Sequence, residues 1–417
     1  MVNITDAFVQ YLFSKADEIT DSVREKAECC KSDYNVVTIA GAAKNRIRWA
    51  KVLKNSHGGN ARVTGYSEKT DSKTAALING FNAHSLELDD GQRFAMIHLG
   101  ASVISAIQAA SDDYEISAER FLTGIIMGYE AACRAAIAMQ PSHKSRGYHT
   151  AGTCGTIGSA AGVAFALGLD KEQTKRALTC AAGSAAGMLE IQEQKSEVKP
   201  YNLGHAAMDG LAAAYMGLTD FETPDDMLGG ERGFFTVFSD EYSREKLTEK
   251  QPYFEIERIY TKPYASCRHS HAAVEAAIKL GKETDIDLIE KVTVSTYKLG
   301  VKGHDHTEIT GIASAKLSTP YAVAAGLLRG RADLTVFEPL DEEVILLAKK
   351  IEVTEDPALT AQCPGKRAAA VTVLLKDGTS LFARVDFAKG EPENPMSKED
   401  FEEKKRMLLE YAANLNG

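Results

Sequence analysis

The chain has 417 residues, of which 48 are Lys or Arg and 58 are Asp or Glu, so its formal net charge is −10. Hydrophobic residues make up 44% and charged residues 25%, an ordinary globular composition that excludes a chain disordered throughout. The acidic balance argues against a nucleic-acid-binding protein, because phosphate binding needs a basic surface. It leaves room for a small anionic substrate in a locally cationic pocket.

Neither a secretory nor a membrane context is predicted. The seven cysteines are an odd number scattered along the chain, which is not a disulfide framework and is typical of a reducing compartment. The N-terminus lacks a basic segment followed by an apolar one, so no signal peptide is evident. The stretch 147–169 has no Asp, Glu, Lys or Arg, but its six glycines and its polar residues favour a buried helix over a membrane span. We therefore expect a cytoplasmic protein with no membrane partner.

Residues 1–255 predict an almost entirely helical region. Apolar residues recur there at helical spacing, as in Phe121, Ile125 and Tyr129. Alternating strand patterns are nearly absent, which argues against a parallel α/β sheet.

The pattern changes after Tyr260. Val292, Val294 and Thr296 alternate with polar residues, as expected for a half-buried strand. Further along, two apolar runs at 370–375 and 380–387 flank an Asp-Gly pair, which predicts a hairpin because its turn needs residues that tolerate positive φ. Helical runs at 271–280 and 321–328 complete an α+β domain.

A final helix follows the break in the chain at 390–395. Ser397 is a plausible N-cap with Asp400 three residues on, and the apolar face of the helix must be buried against another element. The predicted fold class is mainly α with an α+β second domain. A large all-helical domain is built from both termini, residues 1–255 completed by 391–417, and an α+β domain, residues 256–390, is inserted.

The first segment that could carry chemistry is 84–100. Glu87, Asp89 and Asp90 are three carboxylates within four residues, and Arg93 and His98 follow. The cluster is either a solvated helix end or, near a cleft, a group of acids among which proximity raises at least one pKa.

Two further segments lie in the helical region. His149 comes just before a Gly/Thr-rich helix start, where it is either a ligand-facing imidazole or a structural one. Gly155-x-x-Gly158 is not a nucleotide loop, because no strand precedes it and no Gly-Lys-Ser/Thr follows, so its glycines predict close helix packing. Lys199, ahead of an Ala-rich helix, is either a carboxylate-binding cation at a helix N-terminus or a surface lysine.

Segment 260–275 is the most suggestive. Cys267, His269 and His271 alternate, but without a second ligand pair they do not predict a metal site. Lys262 and Arg268 with the histidines favour a cationic wall for a polycarboxylate, since Arg matches carboxylate geometry. A separate His304-Asp305-His306 cluster is predicted to be a loop without metal.

Together these motifs resemble the MmgE/PrpD family, which includes 2-methylcitrate dehydratase, cis-aconitate decarboxylase and iminodisuccinate epimerase. The resemblance runs in order through six segments: 84–90, 147–158, 199–207, 262–271, 318–321 and 390–396. It implies a helical domain built from both termini, an inserted α+β domain, an active site in the cleft between them, and a homodimer.

The resemblance also implies a set of cleft residues: Glu87, Asp90, His98, His149, Lys199, Lys262, Cys267 and Tyr321. His149 is the leading candidate for general base or acid, and Tyr321 could donate a hydrogen bond or a proton. Arg93, Arg268 and His271 are expected to join Lys262 and Cys267 in binding substrate. The sequence departs from the cis-aconitate decarboxylases at Glu87, Gly91 and Cys267, where those enzymes tend to have Asp, Thr and His, and this argues against decarboxylation.

The shared chemistry of the family is proton removal or delivery at carbon next to a carboxylate. The predicted function is therefore a cofactor-independent lyase of the dehydratase type acting on a small 2-hydroxy di- or tricarboxylate. Three alternatives remain open: an epimerase or isomerase of an aminodicarboxylate, a cis-aconitate-type decarboxylase, and a non-catalytic carboxylate-binding protein. No cofactor or metal is expected to take part.

Overall fold

The computed structural model describes residues 3–56, 58–192 and 196–416, and it is mainly helical. The helices before residue 250 are α1 (Ile4–Ala16), α2 (Asp21–Lys44), α3 (Arg46–Asn55), α4 (Ser72–His84), α5 (Gly100–Asp113), α6 (Ala118–Met139), α7 (Ser142–Ser145), α8 (Thr150–Leu167), α9 (Lys171–Ser184), α10 (Tyr201–Gly217), α11 (Phe234–Phe238) and α12 (Arg244–Thr248). A two-stranded ribbon, β1 (Ala61–Arg62) with β2 (Lys69–Thr70), lies between α3 and α4.

Close contact between α6 and α8 organises the first hydrophobic core. A Cβ atom on Gly158 would lie 2.7 Å from the carbonyl oxygen of Gly128, so neither helix tolerates a larger side chain at this crossing. This confirms that the glycines serve helix packing. Both helices are long and apolar enough to span a membrane, but 83% and 89% of their apolar windows are buried inside the protein, as in core helices.

The second region combines helices with a four-stranded mixed sheet. Its helices are α13 (His271–Gly281), α14 (Lys298–Val301), α15 (Ile312–Leu317), α16 (Thr319–Arg329), α17 (Leu334–Phe337), α18 (Glu342–Ala348) and α19 (Pro357–Thr360), and its strands are β3 (Ile289–Thr296), β4 (Ile351–Glu355), β5 (Ala369–Leu375) and β6 (Ser380–Val385). The strand order is β4-β3-β5-β6, with β3 parallel to β4 and the other pairs antiparallel.

The predicted strand and hairpin are confirmed. Val292 and Val294 are buried on β3, and β5 and β6 pair through a turn in which Gly378 has a φ of 87°. Sequence analysis missed β4, whose alternation rests on only Ile351 and Val353 and is too short to stand out from a polar segment.

The last helix, α20 (Lys398–Asn416), begins at the predicted cap and packs against α2. Ser397 and Asp400 exchange hydrogen bonds, each backbone N–H donating to the other side chain at 3.0 and 3.1 Å. Lys404 forms a buried ion pair with Asp33 on α2 and donates to the carbonyl of Leu88 at 2.8 Å. The C-terminal segment is therefore fixed beside the 84–90 turn.

The segment in which the chain leaves the helical region lies beside the segment in which it returns. The Thr261 N–H donates to the carbonyl of Gly390 at 2.9 Å, and Tyr260 pairs with Gly91 in an antiparallel bridge. Gly390 has a φ of 90°, and a Cβ there would collide with the Thr261 carbonyl, so only glycine fits.

An ion cluster centred on Glu391 closes this junction. Glu391 is 2% exposed and accepts from Arg93 at 2.8 Å and from Arg268 at 2.6 Å, while Arg93 also pairs with the half-exposed Glu393. A buried carboxylate between two guanidinium groups is stable only while both partners remain.

We expect Glu391→Ala to lower the free energy of unfolding by about 3–5 kcal/mol, because it leaves two buried guanidinium groups without their shared carboxylate. Glu393→Ala is the matched control and should cost no more than about 1 kcal/mol, since that pair is solvent-screened. Urea denaturation of the two variants measures both values. Equal losses in the two variants would contradict the assignment.

Candidate active site

One carboxylate joins the helical region to the second region at the base of the cleft. Glu87 accepts a hydrogen bond from Lys262 at 3.0 Å and forms an ion pair with Lys199. Lys199 precedes α10, which begins at Tyr201, whereas Lys262 follows the crossover at Tyr260. Lys262 is fully buried and also donates to the backbone carbonyl of Glu87 at 3.1 Å.

The electrostatics of Glu87 follow from this position. Burial by itself raises the pKa of Glu87, but Lys199 and Lys262 outweigh it and hold the pKa well below its ordinary value. The backbone of Glu87 has a φ of 57°, which costs a non-glycine residue about 1–2 kcal/mol. The two lysine contacts hold the residue in this conformation.

Asp89 orients two histidines next to Glu87. Its carboxylate lies 2.8 Å from His84 Nδ1 and 3.4 Å from His98 Nδ1. His98 Nδ1 is also 2.7 Å from the carbonyl oxygen of Asp90. Because a carbonyl can only accept, Nδ1 carries the proton, and Nε2 is the unprotonated nitrogen of neutral His98. Burial lowers the pKa of His98 to about 3, so the neutral form is the resting one.

Asp90 is a predicted catalytic residue, and its carboxylate lies at the N-terminus of α5. Its carboxylate accepts from the Gly100 N–H at 2.9 Å and from the Tyr129 hydroxyl at 2.6 Å. Burial raises its pKa to about 6, and proximity to Asp89, the cause expected from the sequence, contributes less. The carboxylate caps a helix, and the backbone of Asp90 positions His98.

His149 has the opposite arrangement of ring nitrogens. Its Nδ1 is 2.8 Å from the side-chain amide nitrogen of Asn202, which also faces the Met188 carbonyl at 3.5 Å. The amide donates, so Nδ1 of neutral His149 is the acceptor and Nε2 carries the proton. Burial, reinforced by Lys199, lowers the pKa of His149 well below its ordinary value and keeps the ring neutral.

Three of these side chains, His98, His149 and Lys199, line one cavity of about 90 Å³ between the two regions. We call it the central cavity. The helical region contributes His98, Lys144, His149 and Lys199, and the second region contributes Cys267, Arg268, His269, His304 and Arg367. Among the described residues, no Asp or Glu lines it. The central cavity therefore suits an anionic ligand.

Cys267 and His304 form a pair in the wall of the central cavity. Cys267 Sγ is 3.9 Å from His304 Nε2, and His304 Nδ1 donates to the Leu317 carbonyl at 2.9 Å, which fixes the ring. Although burial raises the pKa of the Cys267 thiol, the neighbouring His304 lowers it to about 6. The same contact raises the pKa of His304 against the effect of burial.

Within residues 3–56, 58–192 and 196–416, two groups of side chains have donor atoms close enough together to hold a metal ion. One is Cys267, His269 and His304, and the other is His84, Asp89 and His98; within each group the donor atoms lie within 4.8 Å of one another. His271, which sequence analysis considered with Cys267 and His269, points elsewhere. The metal-capable set was thus not visible from spacing alone.

Two predicted site residues lie outside the central cavity. The Tyr321 side chain lies in the hydrophobic core of the second region. Its hydroxyl donates to the Val336 carbonyl at 2.6 Å and accepts from the Asp341 N–H at 2.9 Å. His271 is fully buried and bonds to the Ser266 carbonyl at 3.1 Å. Both groups therefore already have internal hydrogen-bond partners, and their expected roles as proton donor and substrate ligand stay predictions.

Most of the basic residues predicted to form a cationic wall already have carboxylate partners in the protein. Arg93 and Arg268 share Glu391, and Lys262 is bound to Glu87. Arg268 still lines the central cavity, whereas Arg93 and Lys262 do not. The charge of Arg268 is therefore balanced by Glu391, although its Nε and one terminal nitrogen have no hydrogen-bond partner among the described residues.

Sequence reasoning missed three residues of the central cavity. Lys144 lies on α7, five residues before His149, and Arg367 lies just before β5. His304 was noticed only as part of a separate loop cluster. None carried a local signal that could have linked it to the site, because their proximity arises from the way the two regions pack.

We expect iodoacetamide to alkylate Cys267 with a rate that rises as the pH passes about 6, the pKa of this thiol. His304→Ala should move that midpoint upward, because the imidazole that stabilises the thiolate is gone. Peptide mass spectrometry over a range of about pH 5 to 9 measures the rate, with the exposed Cys29 as a thiol outside the cavity. An unchanged midpoint in His304→Ala would contradict the pairing.

Family models cover nearly the whole chain. The MmgE/PrpD N-terminal domain matches residues 8–246, and the MmgE/PrpD C-terminal domain matches residues 264–415. The boundary between the two matches falls at the crossover into the second region.

Several curated proteins are similar over their full length. A cis-aconitate decarboxylase of Aspergillus terreus is 26% identical, over 94% of this chain and 86% of the relative. The human cis-aconitate decarboxylase is 24% identical, over 97% and 87%. The cis-aconitate decarboxylase-like protein oryM of Aspergillus oryzae is 26% identical, over 84% and 78%. With both domain models matched, the chain belongs to the MmgE/PrpD family.

Proposed function

We propose that the protein is a lyase of the dehydratase type that removes water from a small 2-hydroxy di- or tricarboxylate. The observation that carries the proposal is the opposite protonation of two neutral histidines, His98 and His149, in a cationic cavity that no carboxylate of the described residues lines. One ring is ready to accept a proton and the other to donate a hydrogen bond, as elimination next to a carboxylate requires.

His98 is the proposed base. Its Nε2 takes the proton from the carbon next to a substrate carboxylate, while the Asp90 carbonyl and Asp89 hold Nδ1–H. A bound polycarboxylate brings negative charge close to the ring and raises the pKa of His98 towards neutrality, which strengthens it as a base when substrate is present.

His149 is the proposed hydrogen-bond donor to the oxyanion that forms as the proton leaves. A neutral imidazole with a fixed Nε2–H stabilises such an enolate-like charge without becoming charged itself. The sequence-based expectation left His149 open as general base or acid, and the Asn202 contact supports a donor role.

Departure of the hydroxyl group requires one proton, which the Cys267–His304 pair supplies. The contact raises the pKa of His304 and lowers that of Cys267, which favours a protonated ring beside a thiolate. The C–O bond breaks, the hydroxyl takes a proton from His304 and leaves as water, and the electron pair of the C–H bond becomes the new C=C bond. His98 then releases its proton to solvent, and the Cys267–His304 pair takes one proton back from solvent.

Decarboxylation is the second candidate, because the relatives with nearly full-length similarity are named cis-aconitate decarboxylases. The same cationic cavity would stabilise the carbanion left by loss of CO₂. Release of CO₂ from cis-aconitate distinguishes this reaction from loss of water from a hydroxy acid.

A panel of malate, citrate, isocitrate and cis-aconitate in D₂O tests the proposal. Wild type should place deuterium next to a carboxylate in one hydroxy acid and accumulate a product with conjugated C=C absorbance. We expect His98→Ala to lower kcat by roughly 10²–10⁴-fold and to abolish exchange. His149→Ala should lower kcat by about 10²–10³-fold, the usual effect of removing an oxyanion donor, and His149→Gln should recover part of it.

The matched control is His306→Gln. His306 lies two residues from His304 but bonds to Ser314 outside the central cavity, so turnover should be close to wild type. Exchange without water loss would indicate an epimerase instead. Neither exchange nor turnover with any of the four acids would overturn the proposal, and full exchange in His98→Ala would overturn the base assignment.

We expect turnover to survive exhaustive treatment with EDTA, because the proposed steps use only side-chain acids, bases and cations. Steady-state rates before and after chelation measure this, with the metal content checked by mass spectrometry. Loss of activity restored by one metal would contradict the expectation and would direct attention to the Cys267, His269 and His304 group.

A further inference from the structure

The cations of the central cavity are not equally balanced by carboxylates. Lys199 has Glu87, and Arg268 has Glu391. Lys144 and Arg367 have no ion-pair partner within residues 3–56, 58–192 and 196–416. Glu391 acts on Arg367 only from beyond ion-pair distance. Two half-buried positive charges without a carboxylate in direct contact are costly, because each has lost part of its hydration.

Lys144 reaches the central cavity from the helical region. It lies on α7, and its ammonium makes no hydrogen bond within the described part of the chain. Burial lowers its pKa, and nearby Arg367 lowers it further, which shows that the two cations influence each other. Arg146, two residues on, differs: it is exposed and paired with Asp240 at 3.2 Å.

Arg367 reaches the same cavity from the second region. One of its terminal nitrogens donates to the Arg93 carbonyl at 2.9 Å, which fixes the guanidinium in place. Its Nε is buried and has no hydrogen-bond partner within the described residues. A guanidinium has five N–H donors in a planar fork, so most of the fork is unused.

We propose that Lys144 and Arg367 form an anion subsite of the central cavity that binds a second carboxylate of the substrate. The inference rests on the proposed function, and it assigns the residues that recognise the second carboxylate of a di- or tricarboxylate. Bound carboxylate supplies an ion-pair partner for Lys144 and a bidentate partner for the Arg367 fork. Monocarboxylic 2-hydroxy acids are then poor ligands.

The subsite also explains how substrate and fold cooperate. Lys144 belongs to the helical region and Arg367 to the second region. A carboxylate bound by both residues therefore connects the two regions, as Glu87 does through Lys199 and Lys262. Ligand charge placed there lies close to His269 and His304, and the pKa of each of these rings is already lowered in part by Lys144. Binding and protonation in the cavity are therefore coupled.

The test is isothermal titration of the full chain with tricarballylate, a tricarboxylate without the hydroxyl group that elimination needs. We expect Lys144→Gln and Arg367→Gln each to weaken binding by about 10- to 100-fold, the value of a charge-assisted hydrogen bond. Lys144→Arg should retain most of the affinity. Arg146→Gln and Arg384→Gln are the matched controls, because each removes one exposed positive charge outside the cavity and should leave affinity within about twofold.

Thermal melting of every variant confirms that it is folded before titration. Wild-type affinity in both Lys144→Gln and Arg367→Gln, equal losses in the controls, or no binding of tricarballylate to wild type would each overturn the subsite. Inorganic phosphate that binds as tightly as tricarballylate would overturn its assignment to carboxylates.

The two proposals fail in different ways. Tricarballylate binding that depends on Lys144 and Arg367, without deuterium exchange in any hydroxy acid, supports the subsite and overturns the dehydratase assignment. Exchange with unaltered affinity in both variants overturns the subsite and leaves the dehydratase assignment standing.

Discussion

The ion triplet of Glu87, Lys199 and Lys262 is the constraint on which the cleft depends. Each lysine comes from a different region of the fold, and one buried carboxylate in a left-handed backbone conformation holds both. Removing any member would leave a charge buried without its partner, which is far more costly than the pair is stabilising. The floor of the cleft is therefore fixed before any ligand arrives, as preorganised electrostatic catalysis requires.

A second carboxylate, Glu391, does the same work at the crossover between the regions. It occupies Arg93 and Arg268, two of the cations that composition and spacing had suggested for substrate. The consequence is general for cationic sites: the number of basic residues in a motif is a poor guide to its charge. What matters is which of them lack an internal partner.

The histidines show how local hydrogen bonds divide chemical roles among identical side chains. His98 has its Nδ1 fixed by a carbonyl, His149 has its Nδ1 fixed by an amide, and His304 stands against a thiol. These partners decide which nitrogen is protonated in each ring. One cavity can thus hold a base, a hydrogen-bond donor and a proton source without any cofactor motif in the sequence.

The sequence by itself determined the class of fold and the family. Helical periodicity before residue 255, the alternating run at Val292–Thr296 and the Asp-Gly hairpin are local patterns, and local patterns survive in the sequence. It also singled out five residues that the structure places in or beside one cavity, because each lies in a dense motif: Glu87, His98, His149, Lys199 and Cys267. Only the tertiary structure decided which charges are free and which rings face the cavity. No local pattern links Lys144, His304 and Arg367, which are up to hundreds of residues apart in the sequence. Nor does any spacing reveal that the Tyr321 hydroxyl and the His271 ring form hydrogen bonds with backbone carbonyls. Which distant residues contact one another depends on how the segments pack, and a short stretch of sequence does not determine that packing.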